Sequence, residues 1–89
     1  MHDVLYTGQF KKDAKLMAKR GYEMKKMRLV IEKLVSAGKL ETRYKDHPLQ
    51  GTHAGARDCH VGPDWILIYA IVDDELRLIR TGTHSDLFK

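Results

Sequence analysis

The sequence predicts one small α+β domain, because helical and strand patterns are segregated along the chain. Between residues 9 and 38 apolar residues recur every three or four positions, the period of an amphipathic helix. The second half instead contains short β-rich runs, above all WILIYAIV at residues 65–72. Helices followed by a run of strands are typical of the α+β class. A chain of 89 residues can build one core, so we expect a single domain over residues 1–89.

Two helices are expected after a short opening strand. The strand covers residues 3–8, DVLYTG, and closes at its glycine. The first helix covers residues 9–20 and ends at Gly21, and the second ends at Gly38, since glycine is the usual residue just past a helix. Both helices carry lysine-rich outer faces. The apolar faces are formed by Phe10, Ala14, Met17 and Ala18, and by Met24, Met27, Ile31, Leu34 and Val35.

Three strands are expected in the second half, joined by tight turns. The strands are RDCHV, WILIYAIV and ELRLIRT, and the turns are Gly62-Pro63-Asp64 and Asp73-Asp74. The middle run is unbroken, as in a central strand that is buried on both faces. Before these strands, Pro48 predicts that His47 is extended rather than helical.

The composition indicates a basic protein of the cytoplasm. Sixteen Lys and Arg against twelve Asp and Glu give a net charge of +4, which favours a polyanionic partner such as RNA or an acidic protein. The single cysteine, Cys59, cannot form an internal disulfide, and the first residues lack the pattern of a secretory signal. The longest apolar run is too short to span a bilayer. We therefore expect a cytoplasmic protein without a membrane partner.

The clustering of histidines in the second half is the best clue to function, because histidine titrates near neutral pH. If Asp73-Asp74 is a two-residue hairpin loop, Val72 pairs with Glu75, and a constant register then places Trp65 opposite Gly82. The turn after His60 reaches the same end of the sheet.

The register therefore predicts that His60, Asp64 and His84 converge, whereas it does not place His47. We expect Cys59 to face the core, because neighbours in a strand point to opposite sides. His2 and His53 are expected to be exposed and without a role.

Such a cluster suits two kinds of chemistry. Metal-free RNA cleavage needs a base, an acid and cations for the phosphate, for which Arg80 or Arg57 is a candidate. Phe88 and Trp65 are candidates for stacking on bases. A metal-dependent nuclease is the rival, but the chain has no HExxH or CxxC spacing, Gly-rich phosphate loop or GxSxG elbow. A non-catalytic basic module that binds RNA or protein is the alternative from another class.

Three segments, YKDHPLQG, RDCHVGPDWILIY and RTGTHSDLF, closely resemble the YafQ branch of the RelE-like bacterial toxins. The resemblance implies two helices packed on a curved, mainly antiparallel sheet that ends in a three-stranded meander. It implies a ribosome-dependent mRNA endoribonuclease that uses no metal or other cofactor. The expected partners are mRNA in the ribosomal A site, the ribosome and a cognate acidic antitoxin.

The resemblance also assigns roles to residues of this chain. It implies that the site consists of His47, His60, Asp64, His84, Arg80 and Phe88. We expect His60 with Asp64 to transfer protons and His84 to be the partner acid or base. His47 would position or protonate the substrate, and Arg80 would stabilise the phosphate. Lys45 and Trp65 are lesser candidates for contact with RNA.

Overall fold

The computed structural model describes residues 3–51 and 55–88, so His2 and His53 lie outside the described residues. The described elements follow the predicted order of strand, two helices and strands. They are β1 (Asp3–Tyr6), α1 (Gly8–Lys19), α2 (Met24–Ala37), a 3₁₀ turn (Thr42–Tyr44), β2 (His47–Pro48), β3 (Arg57–Gly62), β4 (Trp65–Val72), β5 (Glu75–Gly82) and α3 (His84–Leu87).

The five described strands form one sheet in the order β1-β5-β4-β3-β2. β1 runs parallel to β5, and the other neighbours are antiparallel. The α1 and α2 helices bury Phe10, Met17, Met27, Val30 and Leu34 in one apolar core with residues of the sheet. The predicted α+β class is confirmed.

The first helix begins one residue earlier than predicted, and β1 ends two residues earlier. The Thr7 hydroxyl oxygen accepts a hydrogen bond from the Phe10 N–H at 3.1 Å, which satisfies a donor of the first helical turn. Gly8 therefore starts α1, and the prediction that it closes the strand is wrong. The end of α2 is confirmed, since Gly38 adopts a left-handed φ of 73° as its C-cap.

The central strand, β4, separates two faces of the sheet. Trp65, Leu67 and Tyr69 point into the helix-covered core, and Cys59 of β3 is buried there as predicted. Ile66 and Ile68 lie in a smaller cluster with Leu87 of α3. We call the surface on the side of this second cluster the open face. The expected burial of β4 on both sides holds for residues 65–70, and its last two residues are exposed.

The register of β4 and β5 differs from the prediction at one point. Pairing from Val72 with Glu75 to Tyr69 with Leu78 follows the constant sum, but Ile68 then pairs with Arg80. A β-bulge at this point inserts one extra residue in β5 and shifts the rest of the register. Gly82 consequently pairs with Ile66 rather than with Trp65, so that predicted pair is wrong. A shift of one residue still leaves His84 at the end of the sheet where β4 begins.

Candidate active site

His84 and Asp64 form a hydrogen-bonded pair at the end of the sheet. Asp64 lies in the turn between β3 and β4, and His84 is the first residue of α3. The His84 Nδ1 atom is 3.0 Å from Asp64 Oδ1, and the His84 backbone N–H donates to the same oxygen at 3.2 Å. These two hydrogen bonds from His84, the side-chain one first, lower the pKa of Asp64. The pair orients the imidazole while both side chains stay open to solvent.

The short helix α3, which the sequence analysis did not predict, holds His84 in place. Thr83 and Asp86 form a capping box. The Asp86 carboxylate accepts a hydrogen bond from the Thr83 N–H at 2.9 Å, and the Thr83 hydroxyl oxygen accepts one from the Asp86 N–H at 3.2 Å. Arg20 at the end of α1 donates to Asp86 at 2.7 Å, and this hydrogen bond is the main cause of the lowered pKa of Asp86. The C-terminal segment is therefore tied to the first helix.

Three aromatic rings lie in a row on the open face. The ring centroid of His60 is 5.7 Å from that of His84, and His84 is 5.9 Å from Phe88. His60 is half-buried, whereas Phe88 is 39% exposed. The structure thus brings His60, His84 and Asp64 together, as the register argument predicted. Phe88 stands at the exposed end of the row, where a base could stack on its ring.

His47 joins this face through a short strand pairing. In β2 it lies opposite Asp58 of β3, and Asp58 is two residues from His60 on the same strand. The His47 Nδ1 atom is 2.9 Å from the Lys45 carbonyl oxygen and 3.0 Å from Asp58 Oδ1. Because Nδ1 is engaged, the other ring nitrogen is the one left for proton transfer. His47 was included only on resemblance, and this pairing is the geometry that brings it to the strand of His60.

Asp58 is a candidate site residue that sequence reasoning missed. It is only 4% exposed, and its Oδ1 atom makes the 3.0 Å ion-pair contact with His47 but no hydrogen bond within the described part of the chain. Burial raises the pKa of Asp58, while the nearby His47, His60 and His84 act in the opposite direction. Strand alternation was the available signal, since residues two apart share a face. A carboxyl group therefore lies beneath three histidines.

The segment that carries His47 is held by a polar cluster. The Asp46 carboxylate accepts from Arg57 Nε at 2.7 Å and from the hydroxyl of the buried Tyr69. Burial, followed by the hydrogen bond to Asp46, raises the pKa of Tyr69. Arg57, a candidate phosphate ligand, is thus engaged at the base of the His47 segment.

Arg80, the other candidate phosphate ligand, is bound to α1. Its Nε and Nη2 atoms donate to the two oxygens of Asp13 at 2.8 Å and 3.1 Å, a bidentate geometry. Burial of Asp13 favours its neutral form, but hydrogen bonds from Arg80, Gln9 and Thr81 outweigh burial and lower its pKa. The guanidinium therefore joins β5 to the first helix, a contact that no sequence pattern indicated.

The two lesser candidates have different surroundings. Trp65 is 2% exposed, and its indole N–H donates to the Thr81 hydroxyl at 2.9 Å within the helix-covered core. Packing is therefore the role that its position supports. Lys45, in contrast, lines a groove next to His60.

The described residues contain no group of three or more His, Cys, Asp or Glu side chains arranged to hold a metal ion. Over the same residues, no helix is both long and apolar enough to cross a membrane.

The comparisons with known proteins agree with this fold and show the family. Residues 2–89 match the family model described as a bacterial toxin of type II toxin-antitoxin systems, YafQ. The chain is 51% identical to the mRNA interferase toxin YafQ of Escherichia coli K12, covering 97% of this chain and 95% of that protein.

Two solved structures are similar over nearly their whole length. The YafQ chain of the E. coli DinJ-YafQ complex superimposes with a TM-score of 0.91 at 49% identity, with 100% of both chains covered. A metal-bound toxin from Helicobacter pylori has a TM-score of 0.89 at 38% identity, with 99% of this chain and 100% of that chain covered. The resemblance stated from the motifs is confirmed, and the chain belongs to the YafQ family of bacterial toxins of type II toxin-antitoxin systems.

Proposed function

We propose that this protein is a ribosome-dependent mRNA endoribonuclease that uses histidine acid-base chemistry without a metal. The observation that carries the proposal is the convergence of His60 and His84 with the Asp64 carboxylate on an exposed end of the sheet. The relative named an mRNA interferase supplies the substrate class. Action on ribosome-bound mRNA implies a cytoplasmic protein.

In the proposed reaction, a base takes the proton of the 2′-hydroxyl, and the 2′-oxygen attacks the adjacent phosphorus. The bond from phosphorus to the 5′-oxygen breaks, and an acid protonates that oxygen. The products are a 2′,3′-cyclic phosphate and a 5′-hydroxyl end.

We assign His84 as the acid, because Asp64 contacts its Nδ1 and orients the exposed ring, which leaves the other ring nitrogen for the leaving oxygen. We accordingly assign Asp64 to His84 rather than to His60. His60, which contacts the ring of His84, is then the base. His47 beside Asp58 would assist proton transfer or position the substrate.

Mapping RNA ends tests the proposal. Purified protein incubated with ribosomes on a defined mRNA should yield new 5′-hydroxyl ends at codon-related positions. Cleavage should persist in the presence of a chelator that is selective for transition metals. Such a chelator leaves Mg²⁺ in solution, which the ribosome requires. Loss of cleavage with that chelator would instead support a metal-dependent nuclease. Binding without new ends would support the non-catalytic module.

We also propose an acidic antitoxin as the partner. The E. coli relative has been crystallised in a complex named DinJ-YafQ, and the net charge of +4 suits an acidic protein. The gene next to the one for this chain should encode that partner. Co-expression of the two should yield a complex that releases no RNA ends, and unchanged cleavage by the complex would contradict inhibition.

A further inference from the structure

A groove of about 360 Å³ adjoins His60. One wall is the segment before His47, and the other is the end of β3 with the following turn. The described lining consists of Arg43, Tyr44, Lys45, His60, Val61, Gly62 and Pro63. This volume lies near the lower end of the range of ~300–1,000 Å³ for small-molecule sites, so the groove suits one nucleotide rather than a duplex.

The charge of the groove is suited to an anion. Arg43 and Lys45 are the charged members of the described lining, and neither wall contributes a carboxylate to it. The Lys45 backbone has a left-handed φ of 52°, and its carbonyl oxygen contacts His47 Nδ1 at 2.9 Å. The groove is thus linked to two histidines: His60 forms part of its lining, and His47 contacts the backbone of Lys45, which also lines it.

Arg43 is held so that its guanidinium remains accessible. The guanidinium carbon is 4.8 Å from the centroid of the Tyr44 ring, and Nη2 donates to the Tyr44 hydroxyl at 2.9 Å. Glu41 contacts the Nε atom at 3.2 Å, and the Arg43 side chain is still 66% exposed. A guanidinium plane supported on one side can take a base of single-stranded RNA on the other.

We propose that this groove is the subsite for the nucleotide that flanks the scissile phosphate. Lys45 neutralises the phosphate of that nucleotide, and Arg43 stacks on its base. The inference rests on the proposed function, because it takes RNA as the substrate and His60 as part of the reacting site. Arg43 would then contribute to substrate selection without taking part in proton transfer.

Binding of a blocked RNA tests the subsite without any cleavage. A trinucleotide with 2′-O-methyl groups lacks the nucleophile and can be titrated into the isotope-labelled protein while amide resonances are followed. We expect saturable shifts at Lys45, Val61 and Gly62. Arg43→Ala should weaken binding by about fivefold or more, as loss of one stacked base would. The absence of saturable shifts at these amides would overturn the proposal.

Arg77→Ala is the matched control. Like Arg43, Arg77 is an exposed arginine paired with the glutamate two residues before it. It lies near the start of β5, at the opposite end of that strand from His84. The affinity of the Arg77→Ala variant for the trinucleotide should lie within about twofold of that of the parent protein, because this substitution removes the same charge outside the groove. Equal weakening by the two substitutions would show that only net charge matters and would overturn the subsite.

Cleavage of ribosome-bound mRNA separates this proposal from the function on which it rests. Arg43→Ala should raise KM by about fivefold or more and leave kcat within about twofold. If the groove binds the trinucleotide and no mRNA is cut, the subsite stands and the nuclease proposal fails. If mRNA is cut and Arg43→Ala changes neither KM nor trinucleotide binding, the nuclease stands and the subsite fails.

Discussion

Two histidine-carboxylate pairs on the open face have the same contact distance but opposite surroundings. His84 Nδ1 and His47 Nδ1 each lie 3.0 Å from an aspartate oxygen, that of Asp64 and of Asp58 respectively. The Asp64 side chain is 62% exposed, whereas that of Asp58 is 5% exposed. The pKa of Asp64 is lowered mainly by hydrogen bonding to His84, and that of Asp58 is raised mainly by burial.

The comparison shows that distance alone does not define the role of such a pair. The exposed carboxylate keeps its solvation and gains a hydrogen bond, so little free energy is needed to keep it charged beside His84. The buried carboxylate loses solvation, and the nearby histidines offset only part of that cost. We therefore expect the first pair to matter for the reaction alone and the second to affect both reaction and folding.

The largest effect should come from His84→Ala. If His84 is the general acid that we propose, its removal should reduce the rate of mRNA cleavage by a factor of roughly 10²–10⁴. Because the side chain is exposed, the free energy of unfolding should change by less than about 0.5 kcal/mol. Single-turnover cleavage and urea unfolding of the same preparation measure both quantities. Unchanged cleavage in this variant would remove His84 from the reaction.

Asp64→Asn should have the next largest effect. It keeps the size of the side chain but replaces the carboxylate that orients the His84 ring, so we expect roughly a tenfold to hundredfold loss of cleavage rate. The stability of the fold should change little, since exposed ion pairs contribute little. Asp64→Glu is the control and should recover part of the rate. A rate for Asp64→Asn equal to that of the parent would show that the exposed pair has no catalytic role.

Tyr69→Phe tests the support beneath the His47 pair. The change removes the hydroxyl that donates to Asp46 and should lower the free energy of unfolding by about 1–2 kcal/mol. Tyr22→Phe is the matched control, because its ring packs against Trp65 with a centroid separation of 5.2 Å in the same core. Thermal unfolding of both variants measures the difference. Equal melting temperatures would mean that the Asp46 cluster does not stabilise the fold.

The smallest effect should be a pH dependence that separates the two carboxylates. The folded pKa of Asp58 is raised above 3.8, so the folded chain binds this proton more tightly than the unfolded chain does. Its contribution to stability falls as pH rises from 3.8 through the folded pKa and is constant above it. Asp64, with a lowered pKa, contributes stability above 3.8 that is lost as pH falls through its folded pKa.

Asp58→Asn removes the first of these titrations. The variant should gain stability relative to the parent as pH rises from about 4 to about 7, by roughly 1 kcal/mol or less. Denaturant unfolding across that range provides the measurement. Asp64→Asn is the control, because the pKa of Asp64 is lowered from 3.8 and its titration therefore falls below this range, so its stability difference from the parent should stay nearly constant. A stability difference between parent and Asp58→Asn that is independent of pH would contradict a raised pKa.

Part of the site was predictable because it depends on local order along the chain. The turn before Trp65 and the hairpin at Asp73-Asp74 bring His60, Asp64 and His84 to one end whether or not a bulge shifts β5 by one residue. The prediction of Trp65 opposite Gly82 failed because a β-bulge has no unique sequence pattern. Asp64 was expected to act with His60 but contacts His84, because an exposed turn residue can reach a segment that is distant along the chain.

Contacts between distant segments could not be predicted in the same way. Arg80 was expected to stabilise phosphate, but its contact with Asp13 joins residues 67 positions apart. The pairing of His47 with Asp58 depends on where a loop returns to the sheet, and the sequence does not specify that path. Neither the depth of Asp58 nor the groove next to His60 can be read from the pattern of the strand.

The sequence by itself determined the order of elements, the two-sided burial of β4, the family and the histidines near the end of the sheet. These follow from periodicity, turn chemistry and motifs, which act over a few residues. Only the tertiary structure decided which carboxylate lies beside which histidine and which of those carboxylates is buried. Solvation and ion pairing depend on the complete packing around a group, and packing arises only when distant segments meet.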